Sequence, residues 1–522
     1  MNELIADIQG TAGKLIPELI LIISACVFFL IAPFTSDSEQ RKSNFARSSW
    51  SLLTLFVFLV AAGWSVFAAG NEAASPIGAF RVDAVALFAR VVGIAAGVIL
   101  ILMSWNRIDQ DVIAEHHACL LLIVAGVDLV GLANDLIGLF LALELVSMAT
   151  YLLLYLGRRE RQGKEASAKY FLLSVFSSAI VLFGFSYYYG IAGTTNLYSI
   201  KSAIVSSSTQ AMPAILGLGL VMIVAGLGFR ITSVPFHFYA PDVFQGSHLS
   251  AAAMLSLLPK VAGFVALLKL VSVANIHESL GMLWTPVGKL ELVLFLLAMA
   301  SMLIGNVMAL QQTNLRRMLA WSSVAHTGYL LVGVTVADQV AGAVRPETAV
   351  LFYLVAYGVM TLGAFGILAM VMRNESEIQT FDHLRGLGRQ MPLAAATMTI
   401  IMFGLTGLPP TVGFLGKWNL FMAAWTSGSD LGAWLAIALA INAAIAAVYY
   451  LRVITAMFLL PSIGAHSVDA TSTPSPRRPT ESKPVFEFSA PQAIGAVFCM
   501  VVTIGLFVAP NWLWQFINQA NF

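Results

Sequence analysis

The sequence predicts an all-α polytopic membrane protein with about fourteen transmembrane helices, and three observations carry that reading. The 522 residues are 59% hydrophobic and 11% charged, where a soluble domain carries about 25% charged residues. Runs such as 15–32, 52–69 and 293–310 approach or exceed the ~17–25 residues a helix needs to cross hydrocarbon. These runs are continuous, which excludes the alternation of a membrane β-barrel.

In chain order the apolar runs lie near 15–33, 50–69, 83–104, 116–133, 135–156, 166–190, 212–233, 249–274, 290–310, 316–337, 347–372, 392–426, 432–460 and 491–516. The seventh is interrupted at Val234-Pro235-Phe236-His237, with a further proline at Pro241, and the twelfth at Gly404 to Pro410. Proline removes a backbone donor and clashes with the preceding turn, so both helices should split there. Between the last two helices, Pro461 to Pro491 is rich in Ser, Thr and Pro and reads as a flexible cytoplasmic loop.

Loop charge sets the orientation. Odd-numbered connections carry Arg41, Lys42, Arg47, Arg107, Arg158, Arg159, Arg161, Lys164, Arg316, Arg317, Arg373, Arg385, Arg389, Arg477, Arg478 and Lys483; the even-numbered ones carry Arg81, Lys201, Lys289 and Arg345. The positive-inside rule makes the odd loops cytoplasmic and puts both termini on the opposite, periplasmic face. The first thirteen residues hold Glu3 and Asp7 and no basic residue, so they are not expected to be a signal peptide.

Several function classes fall away. A net charge of +1 argues against a nucleic-acid partner. No GxGxxG or GxxxxGK[ST] run points to a nucleotide site. Cys26, Cys119 and Cys499 are isolated in apolar runs and read as small buried hydrophobes. His116 and His117 are adjacent at a helix start, a poor spacing for a metal or haem.

The informative residues are charges inside apolar runs. An ionisable side chain at the bilayer centre costs about 2.5–3.5 kcal/mol on insertion scales, so each is a functional candidate. Glu144 lies within Leu136 to Met148 and must take up a proton or find a cation; a structural ion pair is the plainer alternative. Lys169, near the start of the sixth run, fits either a snorkelling lysine or a carrier poised between protonation states. Arg230 and His237 flank the first break. Histidine there suits a proton relay or a packed imidazole, whereas arginine is a fixed charge. Lys260 follows Pro259 deep in the eighth run, and Lys417 lies just past the second break. His326 falls between these lysines in chain order and fits a relay or a satisfied core histidine. Lys269, near the end of its run, is expected to snorkel. Arg90 and Asp128 fit interfacial residues or a local pair.

Four segments resemble the antiporter-like subunits of respiratory complex I, the proton-translocating NADH–quinone oxidoreductase. They are Asn134 to Leu145, Glu165 to Ser174, Gly228 to Gly246, and Gln312 to Tyr329, within a similarity spanning roughly 80–460. The Pro17-Glu18-Leu19 opening, lysine at 417 and lack of a long C-terminal helical arm resemble the N-type branch of that family. The resemblance implies two inverted five-helix repeats, each with one broken helix. Residues 1–110 would then hold helices 1–3, 111–275 the first repeat, 288–460 the second, 461–490 the flexible loop and 491–522 the last helix. It also implies that Glu144 and Arg230 form a switching pair, that Lys260 is the central carrier and that Lys417 is the uptake or release carrier. The family usually has lysine where this chain has Arg230, so either Lys169 shares the carrier role or Arg230 acts as an electrostatic gate.

The expected protein is therefore a non-redox, proton-translocating subunit of that enzyme in a bacterial inner membrane. Neighbouring membrane-arm subunits and lipids are its expected partners. NADH, FMN, iron–sulfur clusters and quinone would belong elsewhere in the complex. The alternatives are a subunit of a multisubunit cation/proton antiporter, a subunit of a membrane-bound hydrogenase-type complex, and a membrane anchor whose charges only hold helices together.

Overall fold

The computed structural model describes residues 13–35, 44–68, 78–157, 161–206, 212–273, 286–337, 344–371, 380–460 and 489–519. Of the expected flexible loop at 461–490, residues 461–488 lie outside the described residues, as do Glu3, Asp7, Arg41, Lys42, Arg158, Arg159, Arg373, Arg477, Arg478 and Lys483.

Helices make up the described chain. In order they are α1 (Ile16–Thr35), α2 (Asn44–Ala68), α3 (Ala84–Ser104), α4 (Ile113–Leu132), α5 (Leu136–Gly157), α6 (Arg161–Ala192) and the short α7 (Leu197–Ser206). Then come α8 (Met212–Arg230), α9 (Ala240–Gly246), α10 (Leu249–Val273), α11 (Pro286–Gln311), α12 (Leu315–Thr335) and α13 (Pro346–Val371). The last are α14 (Pro392–Thr406), α15 (Val412–Trp425), α16 (Asp430–Phe458), α17 (Ala490–Val508) and α18 (Asn511–Asn518).

Among the described residues, 11 helices are long and apolar enough to cross a membrane: α1 to α6, α10, α11, α13, α16 and α17. Helix α12 is as long as α3 yet is not among them, because it carries Arg316, Arg317, Ser322, Ser323, His326 and Thr327. That polarity is tolerable only away from lipid, and every one of these side chains except Arg317 is buried. The most enclosed span is α10, in which every residue but Lys269 is buried, while α1, α2 and α17 at the rim bury a third or less of their apolar stretches. Cys119 and Cys499 are buried as expected, whereas Cys26 faces outward from the rim helix α1.

Both expected breaks are present. Helix α8 stops at Arg230, and the backbone turns through Thr232 at φ +59° before α9 restarts with Pro241 in its first turn. The freed groups find partners: Ser233 N donates to Gly228 O at 2.9 Å, Val234 N to Ser301 Oγ at 3.0 Å, and Tyr239 OH to Phe229 O at 2.9 Å. Helix α14 ends in Gly407 at φ +89°, a left-handed cap that only glycine adopts without penalty. Its amide donates back to Phe403 O and Gly404 O, both at 2.9 Å. Helix α15 then begins at Val412. Pro259, by contrast, sits inside a continuous α10.

The polar helix α12 is held tightly against α11. A Cβ on Gly305 would sit 2.5 Å from Ala325 N, and one on Gly328 would sit 2.6 Å from Met302 N. Both obstacles are backbone and cannot step aside. Gly305→Leu is therefore expected to force the helices apart at a cost of about 1–3 kcal/mol or more. A lowered melting temperature of the purified assembly reads this directly, and an unchanged one would refute the close packing.

Candidate functional site

Glu144, midway along α5, meets Arg230 at the last residue of α8, with Arg230 Nη2 donating to Glu144 Oε1 at 2.8 Å. Ser178 of α6 joins them: its hydroxyl donates to Glu144 Oε1 and accepts from Arg230 Nη2 at 3.0 Å. The other arm of the guanidinium donates to Leu143 O at 2.6 Å and to Ser147 Oγ. Arg230 is 4% exposed and Glu144 24%, so the pair sits at the edge of the interior. A planar fork that fixes acid, hydroxyl and carbonyl at once is a geometry lysine cannot reproduce.

The break links this pair to the interior of the protein. Ile231 O, next in the chain after Arg230, accepts from Thr327 Oγ1 at 2.5 Å. Thr327 Oγ1 in turn accepts from Lys260 Nζ at 2.8 Å, and Lys260 also donates to Ser323 O at 2.5 Å. Lys260 is fully buried on α10, and its ammonium lies 5.2 Å from the Tyr357 ring centroid. Oxygen atoms and an aromatic face, with no carboxylate among these contacts, hold this lysine.

His326, one turn along α12 from Ser323, continues the line. Its Nδ1 shares a hydrogen bond with Tyr353 OH at 2.6 Å and its Nε2 one with Tyr450 OH at 2.9 Å. Tyr450 OH is also 2.5 Å from Ser322 Oγ. Tyr329 packs edge-on to His326 at 5.4 Å and lies 4.8 Å beneath Lys417 Nζ. Lys417 reaches back from α15 to the carbonyls that end α14, donating to Leu405 O at 2.9 Å and Thr406 O at 2.8 Å. A helix C-terminus is where a cation is favoured, because unpaired carbonyls and the aligned peptide dipoles both point there.

Two predicted site residues stand apart from this line. Lys169 lies nine residues from Ser178, about 13 Å along α6, and is 40% exposed. It bonds Glu165 Oε1 and Asp242 Oδ2, each at 2.8 Å. Asp242 is shared with Arg317 at 2.8 Å, so these residues form a network on the rim of the first break. His237 is half-buried and packs against Trp321, with ring centroids 5.1 Å apart and planes tilted by 59°. Lys269 does not snorkel past its helix end; it caps α4 by donating to Val130 O at 3.2 Å, Ala133 O at 2.9 Å and Gly131 O.

Sequence reasoning missed Thr327, Ser323, Ser178 and the tyrosines Tyr329, Tyr353, Tyr357 and Tyr450. A signal existed for α12: Ser322, Ser323, His326, Thr327 and Tyr329 recur at helical spacing inside a hydrophobic chain. The tyrosines carried none, since tyrosine is ordinary in such spans.

Residues 133–444 match the family described as NADH:quinone oxidoreductase/Mrp antiporter, TM. NADH-quinone oxidoreductase subunit N 1 from Solibacter usitatus is 33% identical over 513 residues, covering 98% of this chain and 97% of the relative. The chain belongs to the NADH-quinone oxidoreductase subunit N family. A chain in the structure of respiratory complex I from Thermus thermophilus superposes with a TM-score of 0.75 at 25% identity, covering 97% of this chain and 100% of that one. A chain of the Mrp complex from Dietzia sp. shares the fold, with a TM-score of 0.77 at 19% identity over 97% of this chain and 96% of that one. The family match covers every residue from Glu144 to Lys417.

Two outcomes follow from the geometry. Thr327→Val keeps the shape but strips a hydroxyl from between Ile231 O and Lys260 Nζ, costing about 1–3 kcal/mol for the groups left unpaired; thermal denaturation of the assembly measures it. Asp242→Asn removes the carboxylate that Lys169 and Arg317 share and should cost about 0.2–1 kcal/mol, as partly exposed ion pairs do; a small fall in Tm reads it, and an unaltered Tm would count against the network.

Proposed function

We propose that this chain is a non-redox membrane-arm subunit of an NADH–quinone oxidoreductase that translocates protons while quinone is reduced elsewhere in the complex. The observation that carries this reading is the run of contacts from Glu144 and Arg230, through Ile231 O and Thr327, to Lys260. Arg230 does not hand on a proton. It gates: paired with Glu144, its charge is screened; released, it repels the Lys260 proton toward His326 and Lys417. Lys260 and Lys417 are the carriers, and the His326 ring with its tyrosine partners is the relay between them. Lys169 and His237 serve the rim of the first break, where Asp242 couples α6, α9 and α12.

The proposed architecture has fourteen spans: the eleven long apolar helices, the polar α12, and the two broken helices α8–α9 and α14–α15. Two inverted repeats of five would run over 111–275 and 288–460, preceded by three helices in 1–110 and followed by the 461–490 loop and a last helix in 491–522. Each repeat would then own one break and one central lysine, which supports the division. The chain is proposed to lie in a bacterial inner membrane with both termini periplasmic, supported by the loop-charge asymmetry. Its partners would be neighbouring antiporter-like subunits and lipid.

The test is proton pumping by the assembled complex. Lys260→Ala and Lys417→Ala should each lower the proton-to-electron ratio while the complex still assembles; an unaltered ratio in both sinks the reading. Arg230→Lys should keep assembly but weaken coupling, because one ammonium cannot hold Glu144, Ser178, Ser147 and Leu143 O together. Neutral Glu144→Gln that assembles poorly yet pumps normally would instead favour a structural anchor.

A further inference from the structure

Three charged side chains lie before residue 133, outside the stretch that matches the family, and outside the line of groups just described. Glu18 is in the first turn of α1, Arg90 in the second turn of α3 and Asp128 in the last turns of α4. None is more than 2% exposed. Arg90 clasps Glu18 with two bonds, Nε to Oε1 at 2.7 Å and Nη2 to Oε2 at 3.0 Å, and Nη2 also donates to Lys14 O at 2.6 Å. Asp128 is fully buried, and neither of its carboxyl oxygens has a hydrogen-bond partner. The charges that act on it are Glu18 from α1 and Arg90 from α3. Gly93, one turn beyond Arg90, faces it so closely that a Cβ would sit 2.6 Å from Asp128 Oδ1. Helix α3 thus offers Asp128 a guanidinium and, one turn on, a surface with no side chain.

The charge count is uneven. One guanidinium neutralises one carboxylate, and a second bare carboxylate in the same dry site would be an uncompensated buried charge. We propose that Glu18, Arg90 and Asp128 form a proton-binding site where α1 and α3 begin and α4 ends, two carboxyl groups holding one proton between them against one fixed cation. With Arg90 on Glu18, the proton is on Asp128. When Arg90 turns to Asp128, the Asp128 O–H bond breaks, the proton passes to the Glu18 carboxylate and an O–H bond forms there. The trio carries zero net charge before and after. This site does not depend on the route through Lys260.

Infrared spectroscopy of the assembled complex tests it. The C=O stretch of a protonated carboxylic acid without hydrogen bonds should appear in the wild type and vanish in Asp128→Asn. It should also vanish in Glu18→Gln, because Arg90 then has Asp128 alone to pair with. The double variant Glu18→Gln/Arg90→Met removes the guanidinium with its partner and should keep the band, which separates loss of the proton from loss of the fold. A band that survives Asp128→Asn, or is missing from the double variant, overturns the proposal. So does an Asp128→Asn complex that fails to assemble, since a protonated aspartate and asparagine share shape and charge. A band that survives Glu18→Gln overturns the sharing of Arg90.

Discussion

A charge inside hydrocarbon must be surrounded by oxygen, and this chain meets that constraint in two ways. Two of its buried arginines are matched with carboxylates, Arg230 with Glu144 and Arg90 with Glu18, while the buried Arg316 donates to Ser247 O. Its buried lysines are held by neutral oxygen, Lys260 by Ser323 O and Thr327 and Lys417 by Leu405 O and Thr406 O, and the half-buried Lys269 by the carbonyls that end α4. A carboxylate locks its partner in the charged form, whereas a carbonyl or hydroxyl leaves the ammonium able to give up its proton. Arginine keeps its charge whatever its partner, so the difference in surroundings matters chemically only for the lysines.

The broken helices supply much of that oxygen. At the end of α14 the carbonyls of Leu405 and Thr406 have no partner in the next turn, and Lys417 takes both. At the end of α8 the carbonyl of Ile231 is the acceptor that ties the Glu144 pair to Lys260 through Thr327. Proline and glycine at these positions do more than interrupt a rod. They expose backbone at a depth where only protein can satisfy it.

Much of this was legible from the chain alone. The long apolar runs, the two interruptions at Pro235 and Pro409-Pro410, and the isolated charges stand out because each violates the composition around it. Which charges meet was less legible. Lys169 fitted a snorkelling lysine as well as a carrier, and only the packing of α5, α6 and α8 separates the exposed lysine from the buried arginine that meets Glu144. The snorkelling expected of Lys269 failed because the end of α4 lies within its reach, a contact that sequence spacing does not encode. The tyrosines around His326 were invisible for a different reason: their role lies in where their hydroxyls point, and a hydrophobic chain containing tyrosine gives no hint of direction.

Every residue of α10, which carries Lys260, is buried except Lys269, while α1, α2 and α17 form the rim. A span with no lipid neighbour has no hydrophobic thickness to match. Its tilt is set by the helices around it. Stretching or thinning the bilayer therefore bears first on the outer helices, and the central lysine is insulated from the mechanical state of the membrane by a ring of protein.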